Sequence, residues 1–238
     1  MSDNKKISPV AVVAGAGAGN GQALAKRFSD AGYAVALLAR NLEQTRALAN
    51  ELPNAKAYAC DVGNKDDVSA AFATIQKELG AVEVLLFNAG SGIFADVESI
   101  TPEQFESAWR VNAFGALLCA QQVIPAMKAR KKGSIVFIGA TASRRGGANT
   151  AAFAPAKAAQ YSLAESMARK LWPEGIHVSV VVIDGIVDLP KTRESMPDRP
   201  EDVFVSPEAV AEAAWFMTTQ PRKGWSFETE VRPWREKW

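Results

Sequence analysis

Near the start of the chain, Gly15-Ala16-Gly17-Ala18-Gly19-Asn20-Gly21 sets four glycines at alternate positions. They follow an apolar run, Val10–Ala14, that reads as a buried strand, and they open a helical pattern with Leu24, Ala25 and Phe28 on one face. Strand, glycine turn and helix together aim backbone N–H groups and a helix N-terminus at a phosphate. Glycines remove Cβ atoms where a pyrophosphate must approach the backbone. We prefer phosphate binding to a plain tight turn. Other groups able to do chemistry are few: one histidine, His177, and two cysteines, Cys60 and Cys119, each inside an apolar run. The cysteines read as buried free thiols, and no metal site is expected.

The elements that would position these groups alternate along the chain. Apolar runs at Ala34–Ala39, 57–60, Val82–Phe87, 134–138, 177–183 and 226–231 read as strands. Helical patterns lie between them at 42–51, 65–79, 102–130, 153–172 and 207–219. Thr101-Pro102-Glu103-Gln104 is a capping-box start for the helix at 102–130, and Pro125 should bend it. Repeated βα units with near-continuous apolar strands predict an α/β fold: a doubly wound, Rossmann-type parallel sheet in a single domain over residues 1–238. Residues 187–205 are polar and proline-containing, and read as a flexible excursion on the substrate side.

The 238 residues suffice for one large α/β core, and 48% hydrophobic with 22% charged residues is ordinary for a soluble globular protein. A net charge of +1 argues against nucleic acid as a partner. MSDNKKIS shows no apolar leader and no run of 18 apolar residues occurs, so a cytoplasmic protein with no membrane partner is expected.

Gly15, Gly19 and Gly21 fit G-x-x-x-G-x-G, a pattern that resembles the short-chain dehydrogenase/reductase family, with Ala14 where Thr is usual. Further matches follow in order: Asp61-Val62 after the third strand, Asn88-Ala89-Gly90 after the fourth, and Val111-Asn112-Ala113-Phe114-Gly115 in the long helix. The resemblance implies an adenine contact for Asp61, and for Asn112 a water that connects to the active-site lysine. Arg40 stands where an acidic residue would take a ribose 2′-hydroxyl. A guanidinium suits a 2′-phosphate, which favours NADP(H) over NAD(H). The cofactor set is therefore Gly15, Gly19, Asn20, Gly21, Arg40, Asp61, Val62, Asn88, Ala89, Gly90 and Lys157.

The catalytic segment departs from the family. Its motif is Tyr-x-x-x-Lys with Ser thirteen residues before the Tyr; here the run is Phe153-Ala154-Pro155-Ala156-Lys157, and the Ser position is Ala140. The i, i+4 spacing places Lys157 beside residue 153 on one helix face. Lys157 and Asn112 remain, and both hydroxyls are gone. Losing a positioned acid typically costs about 10²–10⁴ in rate. Substitute donors are Tyr161, two turns along the same helix; Thr141 and Ser143; and Asp184, with Asp188 a weaker claimant. Asp184 precedes Gly185, so it also reads as a turn residue. Arg144 and Arg145 read equally as receivers of an anionic substrate or as a solvated loop. His177 reads as structural.

Two function classes follow. One is an NADP(H)-dependent oxidoreductase acting on a small carbonyl or alcohol with an atypical proton donor. The other is a nucleotide-binding pseudoenzyme, a sensor or partner subunit. A structural subunit without cofactor fits the retained glycines less well. The resemblance implies a homodimer or homotetramer, and Trp234, Trp238 and Trp172 add apolar surface to cover.

Overall fold

In the computed structural model, which describes residues 8–236, seven strands form one parallel sheet in the order β3-β2-β1-β4-β5-β6-β9. Lys237 and Trp238 of the tail, and the N-terminal stretch through Ile7, lie outside the described residues. The strands are β1 Val10–Ala14, β2 Ala34–Ala39, β3 Ala55–Ala59, β4 Val82–Phe87, β5 Gly133–Ala140, β6 Ile176–Ile183 and β9 Glu228–Val231. The helices are α1 Asn20–Asp30, α2 Leu42–Asn50, α3 Lys65–Glu78, α4 Pro102–Trp109, α5 Gly115–Arg130, α6 Phe153–Leu171, α7 Pro190–Ser195 and α8 Pro207–Thr219. Two short strands, β7 Ile186–Val187 and β8 Phe204–Val205, pair in parallel beside the main sheet.

Alternation along β1 shows how the sheet is covered. Val10, Val12 and Ala14 face a core shared with Phe72 and Ile75 of α3, Val123 and Met127 of α5, and Ala164 and Leu171 of α6. Ala11 and Val13 face the opposite core, with Leu24 and Phe28 of α1 and Val210 and Ala214 of α8. A strand buried on both faces must be apolar throughout, and VAVVA is. The strand order reverses between β1 and β4, so their C-terminal ends, Ala14 and Phe87, open a crevice at the switch point.

Three sequence expectations change. The helix expected over 102–130 is two helices joined by a wide, π-type turn, Arg110–Phe114. The break lies at Asn112, whose Nδ2 donates to the Ala108 carbonyl at 2.8 Å and so takes an acceptor from the helix ladder; Pro125 stays inside α5. β5 runs on to Ala140 instead of stopping at 138, because β6 pairs with it through Ile183. The excursion over 187–205 contains α7 and is closed at its base by the β7–β8 pair.

Phe137 is fully buried and its ring centroid lies 6.1 Å from that of Phe87 across β4 and β5. Phe137→Ala is expected to lower the unfolding free energy by about 3–5 kcal/mol. Denaturant titration reads this as a lower midpoint, and an unchanged midpoint would contradict the packing described.

Candidate functional site

The crevice is built on a backbone knot. Gly15 N and Ala16 N both donate to the Leu38 carbonyl, at 2.9 and 3.0 Å, which ties the glycine turn to β2. Asn88 Nδ2 donates to the Gly15 carbonyl at 2.7 Å, tying the same turn to the end of β4. Gly15 has φ of +92°, and a Cβ there would lie 2.5 Å from Ala89 N; one at Gly21 would lie 2.5 Å from the Gly15 carbonyl. Any other residue at these positions forces the knot apart.

A cleft of about 900 Å³ opens from this knot, lined by Gly15, Gly17, Arg40, Asp61, Val62 and Asn88 through Ser91. Gly17 faces open space, with nothing within 4 Å of a Cβ built on it. The N-terminus of α1 has no side-chain cap and no acidic residue in its first turn; Gln22 N turns back to the Gly17 carbonyl at 3.0 Å, so the N–H groups of Asn20 and Gly21 and the positive dipole end are left for an anion. Arg40 is exposed and makes no ion pair among the described residues. Asp61 bends its loop by accepting from Gly63 N at 2.9 Å. These features fit a dinucleotide whose adenine half lies along Arg40 and Asp61. Gly19 is different: the Leu189 side chain packs on its open face, with Pro207 4.0 Å from a Cβ built there. A phosphate reaching Gly19 would displace Leu189.

The expected catalytic positions converge beyond the ends of β4 and β5. Lys157 is buried on α6 and donates to the Ile138 carbonyl at 2.9 Å and to Gln160 Oε1 at 3.2 Å. Burial pushes its ammonium down to about 8. Gln160 Nε2 donates to the Asn112 carbonyl at 2.9 Å, so an amide spans the link that the resemblance assigns to water. Asn112 Nδ2 also reaches the Ser91 carbonyl at 3.2 Å, while its buried Oδ1 has no partner among the described residues. A Cβ on Gly90 would lie 3.4 Å from that Oδ1 and 3.9 Å from Lys157 Nζ. Both groups lie beside Gly90, at ordinary contact distance from a side chain placed there.

Phe153 is half-buried, 5.3 Å from the exposed Phe94 ring and 6.0 Å from Lys157 Nζ. Where a phenol would stand there is an apolar wall, and Ala140 at the end of β5 adds no polar atom. Four of the substitute donors have other partners; the Thr141 hydroxyl makes no side-chain hydrogen bond among the described residues. Tyr161 packs edge-on against Phe227 at 5.6 Å, and burial, with the neighbouring Glu228, raises its phenol to about 12. Asp184 is buried and ion-paired with Arg232. Asp188 is held by both nitrogens of Arg193 at 2.6 and 2.8 Å, which lowers its carboxyl. Ser143 donates to the Ala140 carbonyl. Arg144, read as a receiver of anions, bridges Glu228 and Glu230 of β9. His177 Nε2 donates to the Ser226 carbonyl and the ring stacks on Trp225, far from the cleft.

Sequence reasoning missed Gln160, Phe94, Leu189 and Arg232. Gln160 had a signal: an amide three residues after Lys157 on an otherwise alanine-rich buried stripe. Leu189 had none, because its place over Gly19 depends on the path of the excursion.

The sequence matches the model of a family described as short chain dehydrogenase over residues 9–199. An uncharacterised oxidoreductase of Staphylococcus aureus strain USA300 is 29% identical over 227 residues, 94% of this chain and 96% of that one. A crystal structure of a short-chain dehydrogenase from Rhodopseudomonas palustris is 33% identical, with a TM-score of 0.82 over 96% of this chain and 100% of that one. A metagenomic short-chain oxidoreductase solved in complex with NADP is 28% identical, with a TM-score of 0.82 over 95% of this chain and 98% of that one.

The buried ammonium has a measurable consequence. In the unfolded chain Lys157 titrates near its ordinary value of 10.5, in the folded chain near 8. Between those values the unfolded chain holds a proton that the folded one lacks, so this group's contribution to stability rises with pH across the window. The unfolding free energy of the wild type minus that of Lys157→Met is expected to be flat from about pH 6 to 7.5 and to climb from about pH 8 to 10. A difference flat throughout would contradict a buried ammonium.

Proposed function

The chain belongs to the short-chain dehydrogenase family, and from that membership we propose that it is an NADP(H)-dependent oxidoreductase of small carbonyls or alcohols whose proton does not come from tyrosine. The observation that carries this reading is the cleft itself: a glycine turn, a helix N-terminus without a side-chain cap, and a guanidinium with no ion pair among the described residues. The NADP complex of the metagenomic relative supports the choice of nucleotide.

Each residue has a task in this reading. The Gly17 backbone and the first N–H groups of α1 hold the pyrophosphate. Arg40 takes a 2′-phosphate, and Asp61 meets the adenine. Lys157 offers its remaining N–H to a ribose hydroxyl beside Gly90. A bound nicotinamide supplies or accepts the hydride. Phe94 and Phe153 present apolar faces that orient a substrate and exclude water. Lys157 Nζ lies 6.0 Å from the Phe153 ring, and it replaces the phenol as proton source for a developing alkoxide, handing the proton on through the hydroxyl that its remaining N–H contacts. Its value near 8 suits a group that must give up a proton close to neutral pH.

The experiment is hydride transfer by the purified chain across a carbonyl and alcohol panel, beside calorimetry with NADPH and NADH. Arg40→Asp is expected to weaken NADPH at least tenfold more than NADH, as the loss of one charge-assisted pair predicts. Equal weakening would contradict the role of Arg40. Tight NADPH binding with no turnover on any substrate would leave the pseudoenzyme as the correct reading.

We place the chain in the cytoplasm, where the buried free thiols Cys60 and Cys119 stay reduced. We also propose a homodimer or homotetramer. Phe105 and Trp109 are each 44% exposed on α4 and Phe216 is 56% exposed on α8, surface that a second copy would cover. Gel filtration at micromolar concentration should show a species of about twice or four times 25.5 kDa. A 25.5 kDa species would overturn the proposal.

A further inference from the structure

Lys157 depends on its neighbours for its charge. It lies away from water, and the groups packed around its Nζ are the Ile138 carbonyl of β5, Gln160 and Phe153 of α6, and Asn112 with Gly90 at the cleft. None of these carries a charge, and burial alone moves the ammonium from its ordinary value. An unpaired cation so placed would shed its proton. Two hydrogen bonds oppose that, one to the backbone of Ile138 and one to Gln160 Oε1.

The second bond comes from a side chain that is itself 1% exposed and engaged at both ends. Oε1 accepts from the ammonium at 3.2 Å, while Nε2 donates to the Asn112 carbonyl at 2.9 Å. The partners settle which way the amide points, since the flipped amide would set N–H against N–H and carbonyl against carbonyl. It therefore ties α6 to the wide turn at Arg110–Phe114.

We infer that Gln160 is the positioning residue of this site, a carboxamide strut between Lys157 and the Asn112 carbonyl that keeps the ammonium charged and aimed at the cleft. It does a second thing. An amide accepts and donates hydrogen bonds but has no proton to hand on at neutral pH, whereas a hydroxyl in the same place would conduct one. Gln160 therefore offers Lys157 no route for proton exchange through the interior. The significance of the strut for turnover rests on the hydride-transfer reading above; its effect on Lys157 does not.

The test uses the full chain without nucleotide. Lysine side chains labelled with ¹³C and ¹⁵N are titrated by NMR, and the Lys157 signal is identified by its loss in Lys157→Met. Gln160→Met keeps the length of the side chain and removes the acceptor. Gln160→Glu keeps the acceptor and adds a charge. The wild-type midpoint is expected near 8, the Met variant about one unit lower, and the Glu variant at least one unit higher. A packing role alone would leave the Met midpoint where it is, so an unchanged Met midpoint overturns the inference, and so does a Glu midpoint that fails to rise. Should the Met variant fail to fold, the Glu variant decides: a midpoint at or below the wild type overturns it. NADPH calorimetry on the same samples is read separately. Absence of binding by the wild type would sink the hydride-transfer reading and leave the Lys157 titration standing.

Discussion

The whole site hangs on the absence of two side chains. Gly15 and Gly21 let the turn after β1 lie against Ala89 on one side and fold back on its own carbonyl on the other. That contact brings the ends of β1, β2 and β4 to one point, held by the Leu38 carbonyl and by Asn88. Move either glycine outward by a methyl group and the cleft loses its floor. Arg40, Asp61 and Lys157 would then be three unrelated polar residues at the ends of three different elements.

Much of this was legible in the sequence, for physical reasons that differ by region. The buried strands announce themselves because a parallel strand covered on both faces has little choice of residue type, as β1 and β2 show. The start of α4 was legible because its cap is local: Thr101 accepts from Gln104 N, and Gln104 accepts from Thr101 N. The wide turn at 110–114 was not legible, because it follows from Asn112 bonding to Ala108 and Ser91 in a packed interior. Pro125, which was expected to bend the long helix, lies inside α5, and the two helices meet elsewhere. The same limit explains Asp184 and Arg232, 48 positions apart and joined only by the pairing of β6 with β9. A carboxylate read in isolation looks able to move a proton; one packed against a guanidinium is occupied.

The chemistry around Lys157 is consistent in one direction. Phe153 and Ala140 bring no hydroxyl to the two positions where the family carries one, and Gln160 fills the interior side of the lysine with an amide. Each change removes a group that passes protons easily, yet the lysine itself is kept, buried and hydrogen-bonded. An ammonium that touches the cleft on one side only can serve a bound nucleotide as a fixed positive charge and a slow proton source. Tyr161, the phenol on the same helix, packs on Phe227 and takes no part.

The most direct test of this account is a crystal structure of the chain soaked with NADPH. The account predicts density for the nucleotide along the cleft, with its 2′-phosphate on Arg40, its ribose within reach of Lys157 Nζ, and Leu189 moved off Gly19. Crystals in which Leu189 still covers Gly19 at saturating NADPH, with no density beside Arg40, would contradict it.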